Sequence, residues 1–301
     1  MNNGILNILK PPGMTSHDVV SYVRRLYGLK KVGHAGTLDP AAAGVLPIFL
    51  GQATRLIEYT ANATKSYRAE MTFGFETDTG DDTGTIVRKG ETVLPERQQV
   101  EAALSCFRGL ITQTPPVYSA IKIGGKKLYE LARAGRPVEP PPRQVQIDSL
   151  ILINEEPGKI LIDVDCSKGT YIRTLCQDIG RHLGCLATMS FLIRTRVGSF
   201  DIQHAVTLEE AKAKHEQVLL PLDAAIQHLP LLLLGPVQSK DFCQGKIVPV
   251  AETLADTVRV YGSNQVLLGI GQSNNQLSVV KPVKVVASLS TLLEKDCEEI
   301  L

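Results

Sequence analysis

The residues best suited to chemistry lie in one short stretch, Gly33-His34-Ala35-Gly36-Thr37-Leu38-Asp39-Pro40, which runs on into Gly44-Val45-Leu46-Pro47-Ile48. Its three glycines allow a tight backbone with room for a ligand, and Pro40 biases Asp39 toward an extended conformation that holds a carboxylate at a loop apex. With an ordinary pKa of about 3.9, Asp39 would be ionised at neutral pH, as a nucleophile or base must be. Asp before Pro is also a common turn, so the loop alone leaves both readings open. His34 could exchange a proton or merely orient a neighbour. No Ser-His-Asp order is evident. The His-x-Glu and Pro-Cys-x-x-Cys pattern of zinc deaminases is absent, as are Walker and GxGxxG loops, which leaves a carboxylate acting without a metal.

The elements that must position this loop follow from the pattern around it. Gly4–Leu9 is a short apolar run suited to a buried strand, broken by Pro11-Pro12-Gly13. Thr15 or Ser16 can cap a helix over about Ser16–Tyr27, because Val19, Val20, Val23, Leu26 and Tyr27 recur at helical spacing and Gly28 sits where a left-handed cap belongs. From Ser66 to Phe75, residues Tyr67, Ala69, Met71, Phe73 and Phe75 alternate with polar ones, the signature of a half-buried strand. Thr77–Thr85 should turn, Glu96–Phe107 should be helical, and Ile160–Cys166 should be a strand. Lys168-Gly169 then leads into a helix that begins near Arg173 and stops at Gly184. Near His228 the pattern changes, and Thr257–Val286 reads as short strands punctuated by glycines, so a small, mainly β, C-terminal domain is expected.

Composition narrows the class. The 301 residues are 44% hydrophobic and 21% charged with a net charge of +1, ordinary globular values that exclude fibrous, disordered and disulfide-framework proteins. Charge is uneven, however. Thr114–Arg143 carries six Lys+Arg against two Asp+Glu, with Pro115-Pro116, Gly124-Gly125 and Pro140–Pro142 around one short helical piece at Lys126–Ala134. An excursion of that length and composition suggests a basic, mobile arm. Six cysteines without CxxC spacing suggest reduced thiols, and no run approaches the ~20 apolar residues of a membrane helix. The first ten residues do not resemble a secretory leader, so a cytoplasmic protein is expected.

Five blocks then agree in order and spacing with one family. Leu6-Asn7-Ile8-Leu9-Lys10-Pro11-Pro12-Gly13-Met14-Thr15-Ser16, Gly33 to Pro40, Lys65-Ser66-Tyr67, Tyr118-Ser119-Ala120-Ile121-Lys122 and Cys166-Ser167-Lys168-Gly169-Thr170-Tyr171-Ile172-Arg173 resemble the motifs of TruB-type tRNA pseudouridine synthases over roughly residues 4–225. The resemblance implies an α+β fold. It would have a mixed, largely antiparallel catalytic sheet with flanking helices and a thumb-like insertion at about 114–143. It also implies a catalytic domain over 1–228 and a β-rich PUA-like domain over 229–301. The implied reaction converts the T-loop uridine at tRNA position 55 into pseudouridine after base flipping, with no cofactor and no metal.

By the same resemblance Asp39 is the catalytic carboxylate and Arg173 its support, favouring the charged form. His34, Tyr67, Tyr171 and Leu192 would contact the substrate. Lys10, Lys122, Lys126, Lys127 and Arg133 are candidate RNA contacts, Lys10 alternatively supporting the site. Ile193 departs from the family pattern, where many relatives carry arginine. The expected partner is the T stem-loop of tRNA, with no membrane, no obligate protein partner and a monomeric state. Two other classes compete: an RNA-binding or folding module without chemistry, and a nucleoside hydrolase. The second would want the paired carboxylates of glycoside hydrolysis, which the sequence does not offer.

Overall fold

The alternating run beginning at Lys65 lies at the heart of a nine-stranded sheet. The computed structural model describes residues 3–91, 95–136, 138–251 and 253–287, without the side chain of Arg133. Seven strands define the path: β1 (Gly4–Lys10), β2 (Ala43–Leu50), β3 (Lys65–Phe73), β4 (Gly109–Gln113), β5 (Arg143–Glu156), β6 (Lys159–Cys166) and β7 (Ala187–Val197), in the spatial order β1-β2-β7-β3-β6-β5-β4. Every pairing along this path is antiparallel except β7 with β2.

Period-two alternation explains the central part. Tyr67, Ala69 and Met71 of β3 face Val164, Ile162 and Ile160 of β6 in register, all on the covered side. Helix Ile172–His182 lays Ile172, Leu175, Cys176 and Ile179 on that face, beside Val100 and Leu104 of helix Arg97–Cys106. Strands β1 and β2 are buried on both faces, which is why they read as continuous apolar runs rather than alternation. Val19, Val20 and Val23 of helix Ser16–Leu26 cover one side, each contributing about 1.5–3 kcal/mol by burial. Phe49, Val45 and Phe200 fill the other.

Three local differences from the expected elements have simple causes. The 66–75 run ends at Phe73 because Gly74 takes φ +97°, and Phe75–Thr77 pairs instead with Ile86–Lys89. The arm helix is shorter, Leu128–Arg133, because Lys126–Lys127 pairs with Lys122–Ile123 across the turn at Gly124 and Gly125. The sequence pattern does not mark strand β7, because two register shifts against β3, at Met189/Phe191 and Arg194/Arg196, interrupt its alternation.

The arm leaves the sheet between β4 and β5, whose outermost pair is Gln113 with Arg143. A second sheet of five strands follows, with its own core of Leu232, Leu234, Phe242, Val258, Val260, Leu268 and Val280. It abuts the first: Ile270 packs with Ile5, Phe49 and Ile226, the Tyr261 hydroxyl donates to Asp223 at 2.7 Å, and Arg55 donates to the Val285 carbonyl at 2.6 Å. Among the described residues, no helix is long and apolar enough to cross a membrane.

Candidate active site

The loop carrying Asp39 is pinned from below by the first sequence block. The Leu38 amide donates to the Ser16 hydroxyl at 2.8 Å, and that hydroxyl donates back to the Leu38 carbonyl at 3.1 Å. Gly13 N–H donates to the Pro40 carbonyl at 2.8 Å. Lys10 is wholly buried, and its ammonium donates to the carbonyls of Pro11 (2.8 Å), Met14 (2.6 Å) and Pro40 (3.2 Å). Burial pulls its pKa down to about 8, against the pull of Asp39 in the other direction. A side chain so enclosed cannot reach RNA; of the two expectations for Lys10, the geometry fits support of the loop.

Arg173 comes from the first turn of helix Ile172–His182, which starts straight after β6 and the Lys168-Gly169 turn. Its Nε lies 3.0 Å from Asp39 Oδ2. Nη1 donates to the Thr79 carbonyl at 2.9 Å and lies 3.7 Å from Asp81 Oδ2, while Nη2 donates to the Tyr118 carbonyl at 3.0 Å. One guanidinium therefore joins the Asp39 loop, the 77–85 turn and the root of the arm. Asp81 is itself fixed, its Oδ1 accepting from the Thr79 hydroxyl (2.8 Å), the Thr83 hydroxyl (2.5 Å) and the Thr83 amide (3.1 Å).

Arg173 favours the charged form of Asp39, but it does not set the net direction. Burial is the largest influence and raises the Asp39 pKa; Arg173 opposes it, Asp81 adds to it, and the net direction is upward. Asp39 still keeps 37% of its side chain open to the cleft.

Around this pair the fold gathers most of the other predicted residues along a cleft of about 930 Å³. Tyr67 and Leu192, each 9% exposed, come from β3 and β7; Leu192 also belongs to the core beneath. His34, half-buried with its Nδ1 lacking a partner, is held below the usual imidazole pKa by burial and by Arg194. Tyr171 caps its helix, exchanges hydrogen bonds with the Gln113 side chain, and carries the Arg143 guanidinium 4.8 Å from its ring centre. Lys127 reaches the cleft, its ammonium 3.3 Å from the Tyr129 hydroxyl. Lys122 and Lys126 are exposed on the arm hairpin and do not line the cleft, and the side chain of Arg133 lies outside the described residues. Among the described residues no group of three or more His, Cys, Asp or Glu is placed to hold a metal ion.

Three family models match almost end to end: TruB family pseudouridylate synthase (N terminal domain) over residues 24–172, tRNA pseudouridylate synthase B C-terminal domain over 173–227, and Pseudouridine synthase II TruB, C-terminal, over 230–286. A protein described as tRNA pseudouridine synthase B from Caldanaerobacter subterraneus subsp. tengcongensis is 47% identical, across 91% of this chain and 96% of its own. Another so described, from Alkaliphilus oremlandii, is 47% identical across 98% and 100%. The chain belongs to the TruB family. It is therefore a pseudouridine synthase, an isomerase by reaction class. Among solved structures, a Cbf5-Nop10-Gar1 complex matches with TM-score 0.75 and 27% identity over 96% of this chain and 86% of that one. An H/ACA RNP bound to a substrate RNA containing 2'-deoxyuridine matches with TM-score 0.73 and 25% identity over 94% and 85%.

Two residues of this TruB-family site were missed from sequence. Asp81 sits in a stretch rich in Asp, Gly and Thr that reads as a turn, and only its 7% exposure marks it out. Arg194 follows Ile193, the position noted for lacking arginine, and is completely buried under the Asp39 loop. A signal existed: an arginine within an apolar run is out of place unless it has partners.

Proposed function

We propose that the protein isomerises a uridine of tRNA, the T-loop uridine at position 55, with Asp39 as the reacting carboxylate. The observation that carries this reading is the Asp39–Arg173 pair at 3.0 Å, opening onto a cleft walled by Tyr67 and Tyr171. The net reaction breaks N1–C1′ and forms C5–C1′; C5 loses a proton and N1 gains one. No atom or electron is lost, so the chemistry asks for a carboxylate beside the ribose rather than for a redox group.

A stacked T-loop uridine must leave its stack before its glycosidic bond is reachable, at a cost of a few kcal/mol. Aromatic walls offset part of that cost. Tyr67 offers its ring to the base, with Leu192 beside it, and His34 and Tyr171 complete the pocket. The arm at about 114–143, rooted beside Tyr118 and Arg173, closes over the loop. Lys127, with Lys122 and Lys126 further out and Arg133 as a further candidate, meets phosphates and makes binding salt-dependent. In this reading residues 1–228 are the catalytic domain and 229–301 the PUA-like domain, and no protein partner is required.

The test is a site-resolved pseudouridine assay on unmodified tRNA, comparing the wild-type protein with Asp39→Asn. Conversion of the T-loop uridine by the wild type, with binding but no conversion by the variant, is the expected result. If both bind and neither converts it, a binding or folding function replaces this one.

A further inference from the structure

Arg194 is the largest fully buried side chain among the described residues. Its Nε donates to the Val45 carbonyl at 2.8 Å, Nη2 to the Gly36 carbonyl at 3.0 Å and Nη1 to the Thr37 carbonyl at 3.3 Å. Among the described residues no carboxylate lies within the 4.0 Å of an ion pair. Arginine does not give up its proton in proteins, so this is a permanent buried charge satisfied mainly by backbone dipoles. Such a charge costs several kcal/mol of desolvation that an apolar side chain would avoid.

What the contacts achieve is a junction. Gly36 and Thr37 are one arm of the loop that carries Asp39, and Val45 is the other. Arg194 is also in register with Tyr67 across the β7–β3 pairing and with Gly44 across the β7–β2 pairing. The close backbone approach needs glycine: Gly44 has φ +115°, and a Cβ there would overlap the Arg194 carbonyl. The groups facing Asp39 are Arg173 from its helix, Asp81 from the 77–85 turn, Lys10 from β1 and Arg194 from β7. The groups facing Arg194 are Tyr67 and Asp39, with Lys10, Lys65 and His34 feeling its charge.

We propose that Arg194 is a positioning residue for the isomerisation: it fixes the spacing between the Asp39 loop and Tyr67 and places a permanent positive charge beneath the carboxylate. This rests on the reading of Asp39 and Tyr67 given above. The two parts of the role separate in two variants. Arg194→Lys keeps the charge but cannot reach three diverging carbonyls; Arg194→Met removes the charge.

Both variants are compared with the wild type for tRNA Kd, kcat, and titration of the Asp39 carboxyl by carbon NMR, the resonance being assigned by its loss in Asp39→Asn. For Arg194→Lys we expect unchanged Kd, kcat lower by roughly 10²-fold through misplacement of the reacting groups, and unchanged Asp39 titration. For Arg194→Met, the Asp39 carboxyl should titrate at higher pH than in either other protein. Wild-type kcat in folded Arg194→Lys, or wild-type Asp39 titration in Arg194→Met, overturns the proposal. If Arg194→Met does not fold, the split between kcat and Kd in Arg194→Lys decides it. If the wild type itself does not isomerise uridine, the functional reading falls, and the carboxyl titrations still decide the electrostatic part.

Discussion

Replacing Asp39 by Asn should abolish isomerisation while leaving the fold as stable as before, and the contrast with Arg173 tests the electrostatics of the pair. The Asp39 carboxylate gains a charge-assisted contact at 3.0 Å, yet burial outweighs it and the folded pKa lies above the unfolded value. The native state therefore holds this proton more tightly. Its favourable contribution is full below the unfolded pKa of 3.8 and is lost as pH rises through the folded value. At neutral pH the ionised carboxylate is a small net cost. Because 37% of the side chain is solvent-exposed, screening holds that cost to about 1 kcal/mol or less.

Arg173→Lys differs. The arginine side chain is 6% exposed, and a lysine cannot fork to the Thr79 and Tyr118 carbonyls while meeting Asp39. Leaving those two acceptors unpaired costs about 1–3 kcal/mol each, so a loss of roughly 2–6 kcal/mol is expected. At about 2 °C per kcal/mol for a chain of this length, that corresponds to a Tm lower by roughly 4–12 °C. Thermal unfolding of the wild type and both variants, run beside the pseudouridine assay, reads both effects. If Asp39→Asn loses as much stability as Arg173→Lys, the carboxylate is a net stabiliser and the account of its raised pKa is wrong.

Three further outcomes are expected. Lys10 and Lys65 are both pulled from 10.5 to about 8, chiefly by burial, so the unfolded chain binds protons that the native chain has released. Stability should then rise with pH above 8, by up to about 1.4 kcal/mol per unit per lysine, and urea midpoints at stepped pH would expose a flat or falling trend. Gly44→Ala forces a Cβ into the Arg194 carbonyl at φ +115° and should destabilise by about 2 kcal/mol or more, read as a lowered urea midpoint. Arg143→Gln removes the guanidinium on Tyr171, which we take to face an RNA phosphate. It should lower the slope of log Kd against log salt by about 1, and an unchanged slope would place Arg143 in a purely structural role.

Much of the scaffold was legible in one sequence because its signals are local. Thr15 with Asp18 forms the capping box that starts helix Ser16–Leu26, and valines at helical spacing specify which side is buried. The alternation of Lys65–Phe73 and Lys159–Cys166 specifies two strands and their inner faces before any pairing is known. The Asp39 loop stood out through residue types that need no partner to be recognised: glycines, a carboxylate and a following proline. Strand β7 was harder, since its register shifts are set by the strands beside it.

The sequence by itself determined which residues have the right chemistry and which local segments could present them. Only the tertiary structure decided what surrounds each one. Arg194 meets carbonyls 149–158 residues away in the chain, and those contacts turn a charge in an apolar strand into the clamp beneath the loop. For Lys10 the sequence leaves open an RNA contact or support of the site, and the fold makes it a buried donor to three carbonyls, while Asp81, which reads as part of a turn, is the second carboxylate beside Arg173. The direction of the Asp39 pKa followed the same rule. A motif specifies the carboxylate and its arginine, but the balance between burial and charge depends on how much solvent the assembled walls exclude, and no stretch of sequence carries that quantity.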